Sequence, residues 1–241
     1  MIMLTETAKK AIDAYGGQEL WINSGHIEAE VSVKGLAFTL KRRPFFEKVK
    51  ISMEIHRPKS RLIPIGKMKE TAGVLDGMNS LLEDSSGKLI EERKNARDFF
   101  TFGRRLLYWD DLDMAYFANY AFWNYFTLPA LLMNQAIKWT EKRAGLLEAE
   151  FPESIPSHSR FQEFHFDIST GRLIQHNYTA DIISKLATAA NTVKEHSEQN
   201  GFVYPSRRIV TPRNFNGRPL PFPILIDITV HQFVLLPRCN T

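Results

Sequence analysis

Three histidines, His158, His165 and His176, fall within about twenty positions of one another, on what read as neighbouring strands. His176 and Tyr178 share a face by the strand period of two, and Asp181 stands at the end of the same strand. Imidazole is the side chain whose ordinary titration crosses neutrality. A cluster of His158, His176, Tyr178 and Asp181 at a cavity mouth could therefore act as a general acid/base set, or supply two metal ligands. No His-x-His, His-Glu-x-x-His or facial-triad spacing accompanies these residues. Isolated polar side chains satisfied by backbone partners account for them more simply.

Other chemistry-bearing patterns are weaker. Gly-x-Ser-x-Gly is absent, and Gly16-Gly17 lacks phosphate-loop and dinucleotide spacing and reads as a helix stop. Cys239 is the one cysteine, so a disulfide framework or a cysteine-rich metal site within the chain is excluded. Asn177-Tyr178-Thr179 matches the glycosylation triplet, a pattern that arises easily by chance. Asp110, Asp111 and Asp113 could hold a divalent cation, but a helix start favours acidic residues for its dipole and free amides. Arg207-Arg208 could receive a carboxylate or phosphate, although consecutive strand residues point to opposite faces and only one of them would meet such a ligand. No catalytic signature, metal or cofactor is assigned, and a non-enzyme is favoured.

The most distinctive stretch is aromatic. A helix is predicted from near Leu112 to Pro129 or slightly beyond, capped by Asp110 or Asp111. Tyr116, Tyr120 and Trp123 fall on one face, Phe117 and Tyr125 roughly opposite, with Phe122 and Phe126 on the flank. A helix apolar all round must be enclosed, for example within the concave face of a curved sheet. Its rings could line a pocket for an acyl chain or polycyclic ligand, with tyrosine hydroxyls and Asn119 or Asn124 orienting a polar end. The same rings could instead fill the interior as solid core. Residues 114–133 carry no charge, but Asn119, Asn124, Thr127, three tyrosines and Pro129 argue for a protein interior rather than lipid.

The elements around this helix alternate with period two. Residues 5–15 form an amphipathic helix with Thr5 as N-cap, and a short turn ends near Trp21. Ile27, Ala29, Val31 and Val33 then alternate with polar residues, and Gly35 separates them from Leu36, Phe38 and Leu40. Further strands are expected at 49–55, 61–65, 70–75, 81–83 and 89–92, and after the helix at 147–151, 161–166, 172–181, 203–204, 208–210 and 224–230. Strands at such intervals with turn signals between them imply a sandwich or barrel.

Bulk properties agree. Hydrophobic residues make up 44% and charged residues 24% of 241, ordinary globular usage. A net charge of +4, with 31 basic and 27 acidic residues interleaved, gives no concentrated stripe for nucleic acid. The clusters at Lys41-Arg42-Arg43, Arg104-Arg105 and Arg207-Arg208 read as solvated strand ends and loops. The first residues lack a basic stretch followed by an apolar run and a lipid-attachment cysteine, so a cytoplasmic location is expected. No linker, repeat or low-complexity tract divides residues 1–241, which are taken as a single domain.

The opening Ala11-Ile12-Asp13-Ala14-Tyr15-Gly16-Gly17, followed by Trp21 and alternating strands, resembles the start of the LolA/LolB-like lipoprotein carriers. Tyr108-Trp109-Asp110-Asp111-Leu112, the aromatic run 116–125, Phe151-Pro152, Ser157-His158-Ser159, the segment 176–181 and the segment 201–208 resemble uncharacterised bacterial proteins associated with that fold. The resemblance implies a mainly β (α+β) protein: a half-open antiparallel β-barrel wrapping the central aromatic helix, with an N-terminal helix. It also implies a hydrophobic cavity, and the aromatic helix and the basic pair supply Tyr116, Phe117, Tyr120, Trp123, Asn124, Phe126 and Arg207 as candidate residues for binding a hydrophobic small molecule or lipid in the concave face. Two alternatives stay open: an enzyme on a hydrophobic substrate using His158, His176, Tyr178 and Asp181, and a solid-core interaction protein. No nucleic-acid partner and no transmembrane segment are expected, and oligomeric state is left open.

Overall fold

Helix ends fall where a side chain or a neighbouring carbonyl meets the free backbone groups. In the computed structural model, which describes residues 4–101 and 103–238, Thr5 accepts a hydrogen bond from the Ala8 amide at 3.1 Å. It opens α1 (Glu6–Ala14), which buries Ala8, Ala11 and Ile12. α2 (Gln18–Asn23) follows and buries Trp21, whose indole N–H donates to the Tyr15 carbonyl at 2.9 Å. Cys239 and the side chains of Arg104 and Arg105 lie outside the described residues.

The first meander comprises β1 (Ser24–Lys34), β2 (Phe46–Glu54), β3 (Lys59–Ile63), β4 (Ala72–Asp76), β5 (Asn79–Glu83) and β6 (Leu89–Arg93). A short helix, α3 (Leu36–Leu40), interrupts it after β1. A 3-10 turn (Ala96–Phe99) and the helices α4 (Arg104–Leu107), α5 (Asp111–Phe126) and α6 (Leu128–Leu131) connect it to a second meander. That second set is β7 (Lys138–Arg143), β8 (Leu146–Glu150), β9 (Phe161–Phe166), β10 (Leu173–Thr179), β11 (Thr188–Gln199), β12 (Phe202–Pro212) and β13 (Ile226–Pro237). Antiparallel pairing of β1 with β13, for example Ile27 with Leu235 and Val33 with Ile228, fuses the two sets into one 13-stranded sheet. Its edges are β6 and β7, so the sheet curves without closing. Register shifts in β1 at Glu30/Val31 and in β11 between Val193 and His196 add local bend.

α5 lies inside that curve, with fourteen of its sixteen residues buried, as a helix apolar on every side requires. Asp110 accepts from the Asp113 amide at 2.8 Å, and the Asp113 carboxylate accepts from the Asp110 amide at 3.2 Å, a reciprocal cap. Arg93 bridges both carboxylates at 2.7 and 2.6 Å, and Arg43 pairs with Asp111. The acidic trio thus serves the helix start. α5 stops at Phe126; the Thr127 hydroxyl donates to the Trp123 carbonyl at 2.6 Å, and Pro129 falls in the first turn of α6.

Gly73 on β4 sets how closely α5 approaches. A Cβ there would stand 2.7 Å from the Ala115 Cβ and 2.7 Å from Ile65 Cγ1. Gly73→Ala is expected to destabilise the fold by about 1–3 kcal/mol by wedging the helix off the sheet. A urea midpoint equal to that of the wild type would count against this packing.

Four strand assignments differ from the sequence expectation. Leu36, Phe38 and Leu40 form the helix α3, because Gly35 turns the chain at φ +137° and the amides of Leu36 and Ala37 bond to the Ile224 and Leu225 carbonyls. A Cβ at Gly35 would collide with the Leu225 carbonyl. β7 escapes the pattern because it is an edge strand with little apolar burial, Trp139 being its main inward contact. β11 escapes it because its inward positions include Ala189 and Asn191. The segments 203–204 and 208–210 are one strand, β12, continuous through Pro205, which faces His196 at the bulge of β11 where a missing amide is tolerated.

Candidate functional site

The His/Tyr group comes together as a buried stack. His158 lies between β8 and β9, fully enclosed, with its ring 3.8 Å from that of Tyr178 on β10 at an interplanar angle of 7°. Its Nε2 meets the Tyr125 hydroxyl at 2.8 Å, and its Nδ1 meets the Tyr120 hydroxyl at 3.3 Å. The Tyr125 and Tyr178 hydroxyls are 2.9 Å apart, completing a chain from α5 to the sheet. His176 stacks on Phe164 at 4.1 Å, and its Nε2 is 2.7 Å from Gln162 Oε1. The Gln162 amide nitrogen donates to the Ser159 carbonyl at 2.8 Å, which turns Oε1 towards His176 and places the proton on Nε2.

Burial holds this group neutral. It pushes His158 down to about 3, with the positive field of Arg97 adding, and holds His176 well below the usual imidazole range. Burial likewise raises Tyr125 to about 12 and lifts Tyr120 and Tyr178 well above the usual phenol range. Asp181 shares a backbone bond, its amide donating to the His158 carbonyl at 3.1 Å; among the described residues its carboxylate bonds neither imidazole. Of the four candidates, Tyr178 alone reaches a cavity wall.

That cavity, of about 350 Å³, opens at the α3 end of the barrel. Met114 and Phe117 from the first turns of α5 form one wall, and Val210, Pro212 and Ile226 from β12 and β13 face them. Ala37, Ala180, Ala187 and Ala189 also line it. Small side chains at these positions leave the space that larger ones would fill. Lys41 is the single charged residue among the described lining residues; its ammonium donates to the Leu106 carbonyl at 2.9 Å and stands 4.9 Å from the Trp109 ring. A larger groove of about 1000 Å³ lies at the opposite end, lined by Lys9, His56, Asn134, Gln135 and Arg238 among apolar residues. Its mixed, partly charged wall suits an apolar ligand less well than the α3-end cavity does.

The aromatic candidates divide between wall and core. Phe117 lines the cavity, while Tyr116, Tyr120, Trp123 and Phe126 are buried in the core. The Trp123 indole donates to the Glu54 carbonyl at 2.8 Å, and Phe126 packs edge-on to Phe233. Asn124 donates to the Tyr120 and Pro156 carbonyls at 2.7 and 2.9 Å, a structural tie between α5 and the His158 loop. Asn119 is similarly spent: it donates to the Gly73 and Ala115 carbonyls and accepts from Ser60. Arg207 points outward, within 3.6 Å of Glu195 and of Asp227, and its neighbour Arg208 points inward and is fully buried. The alanines of the wall were missed by sequence reasoning. Their signal, small residues such as Ala187 just before β11 and Ala189 within it, is readable only once β11 is known to be a strand.

No family model matches the chain, and no curated protein matches it. Solved structures do. A LolA superfamily protein from Nitrosomonas europaea superposes with a TM-score of 0.55 at 10% identity, covering 100% of this chain and 96% of that one. A domain named for outer membrane lipoprotein sorting, from Vibrio parahaemolyticus, gives 0.50 at 11%, covering 95% and 91%. A DUF1329 family protein from Desulfovibrio piger gives 0.50 at 10%, covering 95% and 91%. The chain has the LolA-like fold, a half-open antiparallel barrel around a buried helix. Among the described residues no helix is long and apolar enough to cross a membrane.

Proposed function

We propose that this protein binds a hydrophobic small molecule or a lipid chain in the cavity between α5 and the β11–β13 end of the barrel, and holds it without transforming it. The observation that carries the reading is the cavity itself: about 350 Å³, walled by aliphatic, aromatic and alanine side chains, with a mouth at the surface. Sites for small organic ligands span roughly 300–1000 Å³ and have this composition, an apolar wall with very few polar groups. The structural neighbours support it by analogy of fold, one of them being named for lipoprotein sorting. The buried histidines are kept neutral and sealed from the cavity, so no chemical step is assigned to them.

Ala189→Trp would fill the cavity from the β11 side. The expected result is at least a tenfold loss of affinity for a neutral environment-sensitive probe such as N-phenyl-1-naphthylamine, with the far-UV dichroism unchanged. Probe binding that persists at wild-type strength in the folded variant would place the ligand elsewhere. Extraction of the purified protein, followed by mass spectrometry, would then identify the class of any molecule it retains.

A further inference from the structure

Around the cavity mouth the surface is apolar. Leu40, Leu106 and Leu186 line the mouth and are themselves 48%, 37% and 89% exposed. The patch continues outward through Leu36 and Ile224, joined by a backbone bond of 3.1 Å, and then through Leu107 and Phe222. Single exposed leucines are ordinary, but an apolar patch rimmed by polar groups marks an interaction surface.

The segments that form this patch are rich in basic residues. Residues 36–45, 103–109, 182–187 and 220–225 contain six Lys or Arg, of which Lys41 is buried, and no Asp or Glu, with Asp110 and Asp181 at their borders, in a chain that holds 31 and 27. Arg43 is neutralised by Asp111 of α5, while Arg42 and Lys185 are exposed to solvent. A protein partner would require a filled interface with buried aromatic anchors at its centre. Here the centre is the cavity opening, ringed by exposed aliphatic side chains, a geometry that suits a fluid surface.

We propose that this rim docks on an anionic lipid bilayer. Leu107, Leu186 and Phe222 enter the interface, Arg42 and Lys185 meet the phosphate-bearing headgroups, and the cavity mouth faces the acyl chains. The proposal goes beyond ligand binding and rests on the surface alone.

The test is co-sedimentation with phosphatidylcholine vesicles prepared with and without phosphatidylglycerol. The wild-type protein is expected to bind the anionic vesicles, more weakly as salt is added, and to bind neutral vesicles far less. The double variants Arg42→Glu/Lys185→Glu and Leu107→Ser/Phe222→Ser are each expected to lose at least about tenfold in vesicle affinity. None of these four side chains lines the cavity, so uptake of the neutral probe without vesicles stays at the wild-type level. Ala189→Trp should behave in the opposite way, losing the probe and keeping the vesicles, which separates failure of one proposal from failure of the other. Wild-type melting curves establish that each variant is folded. Absence of binding to anionic vesicles, equal binding to neutral ones, or full retention by either double variant would overturn the assignment.

Discussion

Lowering the pH from 7 to 5 is expected to remove about 4 kcal/mol of folding stability, roughly 2 kcal/mol from each of His158 and His176. Both imidazoles are neutral in the folded protein, His158 pushed down to about 3 and His176 well below its usual value by burial. In the unfolded chain each binds a proton near pH 6.5. Below that pH the unfolded state takes up protons that the folded state refuses, so stability is complete above about 6.5 and is lost progressively towards 3. His196, half-buried beside Tyr15 and lowered to about 4, adds in the same direction with smaller weight because it is partly solvated. A loss of this size is a large part of the roughly 5–15 kcal/mol that a domain commands. Urea midpoints measured between pH 7.5 and 4.5 would check it, with each histidine contributing a slope near ~1.4 kcal/mol per pH unit. His176→Gln should remove one such increment from the slope. A stability that stays flat down to pH 5 would show that the rings are charged in the folded state.

Replacing Arg208 by methionine is expected to raise stability by roughly 1–4 kcal/mol. The guanidinium is fully buried on β12, and burial lowers its affinity for the proton. Its Nη2 donates to the Tyr125 carbonyl at 3.1 Å, in the last turn of α5 where free carbonyls favour a cation, and it stands 5.2 Å from the Tyr125 ring. Among the described residues, Nε and Nη1 have no partner and no carboxylate pairs with the guanidinium. One hydrogen bond and one ring contact contribute about 1–3 kcal/mol. The desolvation of an ion is several kcal/mol, so the balance favours an apolar side chain of similar length. Arg208→Ala should go the other way, since it leaves a void and an orphaned carbonyl. Thermal and urea unfolding of both variants decides the sign. A methionine variant less stable than the wild type would mean that the bond to the end of α5 outweighs desolvation.

What was legible in the sequence is what depends on near neighbours in the chain. Thr5 and the Asp110/Asp113 pair announce helix starts because capping is a contact across three residues. The alternation 27–33 announces β1 because successive strand side chains point to opposite faces. The charge-free aromatic run required an enclosing sheet, and α5 has one, because a helix without a polar face cannot meet water on any side.

Partnership across the chain was not legible. That Arg208 rather than Arg207 enters the core depends on how β12 pairs with β11 through the bulge opposite Pro205, since period two fixes alternation but not which face is inside. That His158 stacks on Tyr178 is decided by where the loop after β8 is laid against β10, twenty residues further along. The cavity is a property of volumes summed over four distant segments: the rings of Tyr116, Tyr120 and Trp123 pack as core, and the alanines at 37, 180, 187 and 189 leave the space. Sequence by itself determined a β-rich sandwich or barrel enclosing one aromatic helix, because local periodicity and capping determine elements, and the family resemblance chose the half-open barrel. Tertiary structure alone decided where that barrel is hollow, because a void is set by side chains brought together from far apart in the chain.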